Sequence, residues 1–244
     1  MLQLIDVGKT FDAGPPVLAD VSLTTAEGEF MCVLGPSGCG KSTLLNMIAG
    51  FEPPSGGRVV FRGQPVRAPG RERGVVFQDA GAALFPWLTA EQNVEFGLRR
   101  LGVAREARAR RATEYLELVG LTEHRTKLPR HMSGGMQQRL QIARVLALEP
   151  AMLLMDEPFA SLDANTRERM HRELLRIWAV TRTTVVFVTH DISEAVTLSD
   201  RIAVLTAGPA STVRRTLGVP LPRPRDPAVP GFSEVYGEVR SLID

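Results

Sequence analysis

Residues 35–43, GPSGCGKST, constrain this chain more than any other stretch. They fit the pattern G-x-x-x-x-G-K-[ST], with Gly35, Gly40, Lys41 and Ser42 at the fixed positions and Pro36, Ser37, Gly38, Cys39 and Thr43 completing the segment. The apolar run 30–34 precedes them and the apolar run 44–49 follows, so a buried strand leads into a loop and the loop into a helix packed on a sheet. Glycines at 35, 38 and 40 let the backbone aim successive N–H groups inward, and the helix start near Lys41 adds the positive end of its dipole. Such a cradle takes phosphate. A nucleoside triphosphate is the expected guest, with Lys41 reaching its β- and γ-phosphates as a point charge and the Ser42 hydroxyl directed to Mg²⁺. A chance glycine-rich turn is the competing reading, and the flanking strand and helix weigh against it.

At 244 residues the chain has enough length for one domain carrying an inserted subdomain. Its net charge of +2 argues against a sequence-blind nucleic-acid binder. The two cysteines, Cys32 and Cys39, fall in the strand and the cradle, where a disulfide is awkward, which favours a reducing cytosol. The chain begins directly in a strand-like segment and contains no apolar run of ~18 residues, so neither secretion nor a membrane span is expected.

Residues 2–7 and 17–25 read as strands around the turn cluster 12–16, an antiparallel lead-in to the strand before the cradle. Phe11, at the start of that turn, either stacks on a purine or is an ordinary half-buried aromatic. Residues 58–61 and 74–77 read as a strand pair, with Gln78 ending the second. From 89 to 121 the pattern turns helical. Arg99, Arg100, Arg105, Arg108, Arg110 and Arg111 there face a polyanion, a partner or, interleaved with Glu106 and Glu114, solvent, and the solvated face is the favoured reading.

In the segment 132–139, MSGGMQQR, Ser133 is a helix N-cap and two glycines leave the first turn bare, as an anion site or a plain helix entry would require. The wholly apolar run 152–155 predicts a parallel strand buried on both faces that delivers Asp156 and Glu157 at its carboxyl end, where open α/β sheets bind ligands. Asp156 would hold a water on Mg²⁺, and Glu157 would orient or deprotonate the water that attacks the γ-phosphate. A second such strand at 183–188 delivers Thr189 and His190, a histidine that is either structural or placed to reach a γ-phosphate.

In order and spacing, GPSGCGKST, Gln78, MSGGMQQR, MLLMDEP with Ser161-Leu162-Asp163, and His190 resemble the ATPase subunits of ABC transporters over residues 1–205. The resemblance implies an α/β P-loop NTPase core (domain 1–208) with an antiparallel β lead-in and a helical subdomain inserted at about 88–148, followed by a Pro/Arg-containing tail at 209–244. It implies ATP and Mg²⁺ as cofactors. Phe11 would stack on adenine, residues 35–43 would hold the phosphates, and Ser42, Gln78 and Asp156 would serve the metal. Lys41, Glu157 and His190 would carry hydrolysis, with Glu157 as base. Ser133, Gly134 and Gly135 would close over the ATP of a second copy, and Asp163 would lie in the loop between the two sites. Met132 and Met136 stand where the family carries leucine and glutamine.

The implied partners are a second identical subunit, a transmembrane permease and, through it, a periplasmic solute-binding protein. The implied location is peripheral, on the cytoplasmic face of a bacterial inner membrane, with no nucleic acid involved. Residues 70–78, 83–87 and 93–98 are similar to importers of nitrate, aliphatic sulfonates and taurine. Taurine or another aliphatic sulfonate is therefore the expected solute, with nitrate as the alternative. A soluble ABC ATPase outside transport is the alternative of another class, and it would need tandem cassettes or a long coiled-coil insertion. Residues 79–83, DAGAA, read as a small-residue loop insertion leading to Phe85 and Trp87, which either anchor a permease helix or are buried within the subdomain.

Overall fold

The computed structural model describes residues 1–12, 14–229 and 231–243; Ala13 of the turn cluster, and Pro230 and Asp244 of the tail, lie outside it. In chain order the strands are Leu2–Lys9 (β1), Leu18–Thr25 (β2), Phe30–Leu34 (β3), Gly56–Phe61 (β4), Gln64–Pro65 (β5), Arg73–Val76 (β6), Met152–Asp156 (β7), Thr184–Thr189 (β8), Arg201–Leu205 (β9) and Val213–Gly218 (β10). The helices are Lys41–Ala49 (α1), Ala80–Ala83 (α2), Ala90–Arg100 (α3), Arg105–Leu118 (α4), Gly134–Leu146 (α5), Ala164–Thr181 (α6), Ile192–Leu198 (α7) and Phe232–Ile243 (α8). They form two compact units, one of Met1–Gly70, Leu154–Glu157 and Arg182–Asp244, the other of Arg71–Leu153 and Pro158–Thr181.

In the first unit the strand order β10-β9-β3-β8-β7 puts β3 in the interior of the sheet. Every residue of β3 and β8 is buried, as strands covered on both faces must be. β3 runs parallel to both β8 and β9, with Leu34 opposite Thr189 on one side and Val204 on the other. The residues that follow, Gly35 and His190, therefore leave the sheet at the same edge. That register is what assembles a site from distant parts of the chain.

A separate antiparallel sheet, β2-β1-β4-β5, supplies the lead-in, and β1 and β2 show the partial alternation of strands with one face buried. Here the structure corrects one expectation. Residues 58–61 pair with β1 and β5 rather than with 74–77, and β6 belongs to the second unit. The cause is local: Arg62 and Gly63 take φ of 48° and 76°, the two positive values of a tight hairpin turn that folds β4 straight back onto β5.

Residues beyond 208 join the first unit. β10 pairs antiparallel with β9, and Arg225 is buried, donating to the carbonyls of Val196, Ser199, Val219 and Leu221. Burial, with neighbouring Arg223 adding to it, lowers the Arg225 guanidinium to about 10, which leaves it charged at neutral pH.

The second unit is mainly helical. A capping box between Thr89 and Gln92 starts α3, and Val94, Leu98, Leu116, Leu140 and Ile142 are buried. Arg99, Arg100, Arg105 and Arg110 are exposed and Arg111 pairs with Glu149, as the solvent-facing reading of that run expects. Residues 80–83 form the short helix α2 rather than a plain loop, because the Asp79 carboxylate caps it by accepting from the Ala82 N–H at 3.0 Å.

Candidate active site

The first unit holds the cradle, the two acids and the histidine. Gly38 and Gly40 take φ of 79° and 94°, and a Cβ on Gly40 would lie 2.9 Å from both Val17 and Leu18 side chains. Glycine is required at position 40 for two reasons at once, its left-handed backbone and the strand packed against it. Lys41 opens α1 and is only 4% exposed. Its ammonium donates to the carbonyls of Gly35 and Pro36, each at 2.9 Å, and lies 3.4 Å from Glu157 Oε1. The Ser42 hydroxyl donates to Asp156 Oδ1 at 3.0 Å.

Glu157 is held at both oxygens, since Oε2 is 2.8 Å from His190 Nδ1. Its own N–H donates to Val188 at 3.0 Å, and its φ of 41° is left-handed for a residue with a side chain. Such backbone costs on the order of 1–3 kcal/mol and persists where the surroundings fix it. Thr189 and Asp191 fix the other side: the Thr189 hydroxyl donates to Glu194, and Asp191 caps α7.

Burial raises the Asp156 carboxyl above its usual value; the Ser42 hydroxyl opposes the rise and Glu157 adds to it. A cation beside it would relieve that cost. Among the described residues no three His, Cys, Asp or Glu side chains cluster as a metal cage. One hydroxyl and one carboxylate are a donor set that suits Mg²⁺, which takes few protein oxygens and completes its shell with water and substrate phosphates. Phe11 is 43% exposed at the end of β1, and Val17 and Leu18, after the turn it begins, touch the cradle at Gly40.

The second unit holds the remaining candidates. Exposed Gln78 lines a cavity of about 370 Å³ with Gly134, Gln137, Gln138, Ser161 and Leu162. Ser133 caps α5 by accepting from the Met136 N–H at 3.4 Å, and Ser133, Gly135 and Met136 line a second cavity of about 180 Å³ with Arg139 and Thr166. Asp163 is exposed and accepts from the Thr166 N–H at 3.0 Å; hydrogen bonds from Thr166 hold its carboxyl below the usual value.

A profile of the ABC transporter family matches residues 18–160. The chain belongs to the ABC transporter family. This ABC protein is 45% identical over 240 residues to "Nitrate import ATP-binding protein NrtD" of Synechococcus elongatus, covering 96% of the chain and 87% of that relative. It is 48% identical over 230 residues to "Bicarbonate transport ATP-binding protein CmpD" of the same organism, covering 91% of the chain and 81% of the relative. Its fold matches the dimeric structure of a post-hydrolysis state of the ATP-binding cassette MJ0796 bound to ADP and Pi, at a TM-score of 0.76 and 35% identity over 90% of this chain and 99% of that one. The ABC chain is thus an ATP-binding subunit with a P-loop ATPase fold, and its ATPase activity is coupled to transport. Among its described residues no helix is long and apolar enough to cross a membrane.

Gln141 went unmarked in the sequence. It is buried on α5, and with its amide oriented so that the nitrogen donates to the Phe77 carbonyl and the oxygen accepts from the Phe77 N–H, each at 3.1 Å, it ties the helix capped by Ser133 to the residue before Gln78. The available signal was a glutamine in a helical stretch whose neighbours Leu140, Ile142, Ala143 and Leu146 are apolar and buried.

Proposed function

We propose that this ABC ATPase energises import of a small anion, and that Lys41, Ser42, Asp156, Glu157 and His190 carry its chemistry. The observation behind this is that Glu157 bridges Lys41 and His190 at the edge where Ser42 meets Asp156. A triphosphate seated on residues 35–43 competes with Glu157 for both of those partners. Lys41 then turns to the β- and γ-phosphates, His190 donates to a γ-phosphate oxygen, and Glu157 is released to accept a proton from the attacking water. Ser42 and Asp156 are the proposed holders of Mg²⁺. Bound there, the metal would neutralise charge developing on the phosphates.

Phe11 is the proposed stacking partner of adenine. Ser133, Gly134 and Gly135 are proposed to complete the site of a second copy, with Asp163 in the loop between sites, a reading supported by the dimeric state of the MJ0796 cassette. The chain reads as a nucleotide-binding domain over 1–208, with a helical subdomain at about 88–148 and a tail at 209–244. It would act on the cytoplasmic face of a bacterial inner membrane, against a permease that receives solute from a periplasmic binding protein.

The names of the NrtD and CmpD relatives support an inorganic oxyanion such as nitrate or bicarbonate as the solute. Taurine or another sulfonate is the second reading, resting on the segments 70–78, 83–87 and 93–98. Uptake of labelled nitrate, bicarbonate and taurine by cells lacking this chain, and by cells complemented with it or with Lys41→Ala, tests the proposal. Restoration of inorganic-anion uptake by the intact chain alone is expected. Restoration of taurine uptake alone transfers the assignment to sulfonates, and restoration of none rejects the importer reading for these solutes.

A further inference from the structure

Phe11 does not stand alone at the edge of the lead-in sheet. The Lys9 ammonium lies 4.7 Å from the centroid of its ring. Lys9 is 8% exposed, and its nitrogen is held by Glu52 Oε2 at 3.0 Å and by the Pro53 carbonyl at 2.9 Å. The bracket is stiffened from both sides, since the Ser55 N–H donates to Gly8 at 2.8 Å and the Thr10 N–H donates to the Ser55 hydroxyl at 3.1 Å. Glu52 lies just past Gly50, the C-cap of α1, and its N–H donates back to the Asn46 carbonyl of that helix at 3.4 Å; the helix begins with Lys41 and Ser42. One rigid path therefore joins the phosphate end of the cradle to the underside of the Phe11 ring. The chain has only three lysines among its 29 basic residues, and two of them, Lys9 and Lys41, are buried along this path.

We infer that Lys9 is a positioning residue for the nucleotide base: its ammonium backs one face of Phe11, fixing and polarising the ring so that the opposite face receives a purine. This rests on the reading that Phe11 stacks on the base. A cation held against an aromatic face is attracted by the ring quadrupole, and desolvation strengthens the attraction. Holding the ring in place beforehand also lowers the ordering cost of stacking. The same ammonium does nothing for the phosphates, which belong to Lys41. Loss of the Lys9 charge should thus weaken ligands that carry a base and spare those that do not.

Dissociation constants of the full-length chain for ATP and for inorganic tripolyphosphate, measured with Phe11→Ala and Lys9→Met, test the inference. Lys9→Met, which keeps the length of the side chain, should weaken ATP about fivefold and leave tripolyphosphate unchanged. Phe11→Ala should do the same to a larger degree. If Phe11→Ala is selective for ATP while Lys9→Met weakens both ligands equally, or neither, the role of Lys9 is overturned and base stacking stands. If Phe11→Ala leaves ATP binding intact, the stacking reading fails, and the role of Lys9 fails with it. A merely structural role for Lys9 would move both ligands together, so the ratio of the two constants decides.

Discussion

Replacing Trp87 with alanine separates a docking residue from a structural one. Trp87 is 71% exposed and its main aromatic contact is a tilted pairing with Phe85, ring centroids 5.7 Å apart. Phe85 is the better held of the two: it packs on Phe96 at 4.3 Å, lies 4.7 Å from the Arg144 guanidinium, and its backbone is pinned by buried Asn93. Exposed substitutions usually stay within about 0.5 kcal/mol, and an aromatic pair adds about 0.5–1.5 kcal/mol. Trp87→Ala should therefore cost about 1 kcal/mol, or about 2–4 °C in Tm for a chain of this length. A buried tryptophan would cost about 3–5 kcal/mol, roughly 6–20 °C. Thermal melts and ATP binding on the isolated subunit, set beside solute uptake and transport-stimulated ATPase in the assembled complex, make the comparison. The expected result is a nearly unchanged melt and intact ATP binding with a marked fall in uptake. A Tm loss above about 6 °C that accounts for the loss of uptake would refute the docking role.

Asp156 and Ser133, the cap of α5, make two further tests. Because the folded carboxyl titrates above its usual value of 3.8 through burial, the neutral form is favoured in the fold; that stability is fully present below the unfolded value and is lost as pH rises through the folded one. Asp156→Asn should thus raise the Tm of the metal-chelated subunit at pH 7, by a margin that shrinks as pH falls toward about 4, while removing Mg²⁺-dependent hydrolysis; a lower Tm for the variant at pH 7 would contradict this. Mixed dimers carrying Lys41→Ala on one copy and Ser133→Arg on the other should keep one undamaged composite site and close with ATP. Closure no greater than that of dimers doubly altered on both copies would reject the shared-site arrangement.

Much of the first unit could be read from residue order because its signals are local. Five buried residues before a glycine loop, and four before Asp156, leave little choice but strands covered on both faces. Their register could not be read, and it is the pairing of Leu34 with Thr189 that brings His190 level with the cradle. The misplaced partner of β4 has the same origin: a two-residue hairpin at Arg62 and Gly63 is a backbone event, with only one glycine to announce it. Lys9, Glu52 and Gln141 escaped because the contacts that hold them, Lys9 with Glu52 and Gln141 with Phe77, join residues far apart in sequence, and the short step from Lys9 to Phe11 carries no pattern of its own. The Trp87 question stayed open in sequence for a related reason, since an aromatic in a short loop carries no periodicity to say which side of it meets solvent.

Glu157→Gln tests the central claim most directly. The amide has the same shape, and its oxygen can still accept from Lys41 or His190, so the site should stay assembled and ATP affinity should be preserved. What it lacks is the capacity to take a proton from water, a contribution of about 10²–10⁴ in rate for a positioned base. In the complex reconstituted with its permease, single-turnover hydrolysis should fall by at least about a hundredfold while ATP-bound closed dimers accumulate. Hydrolysis at the wild-type rate by that variant would contradict the assignment of Glu157 as the base.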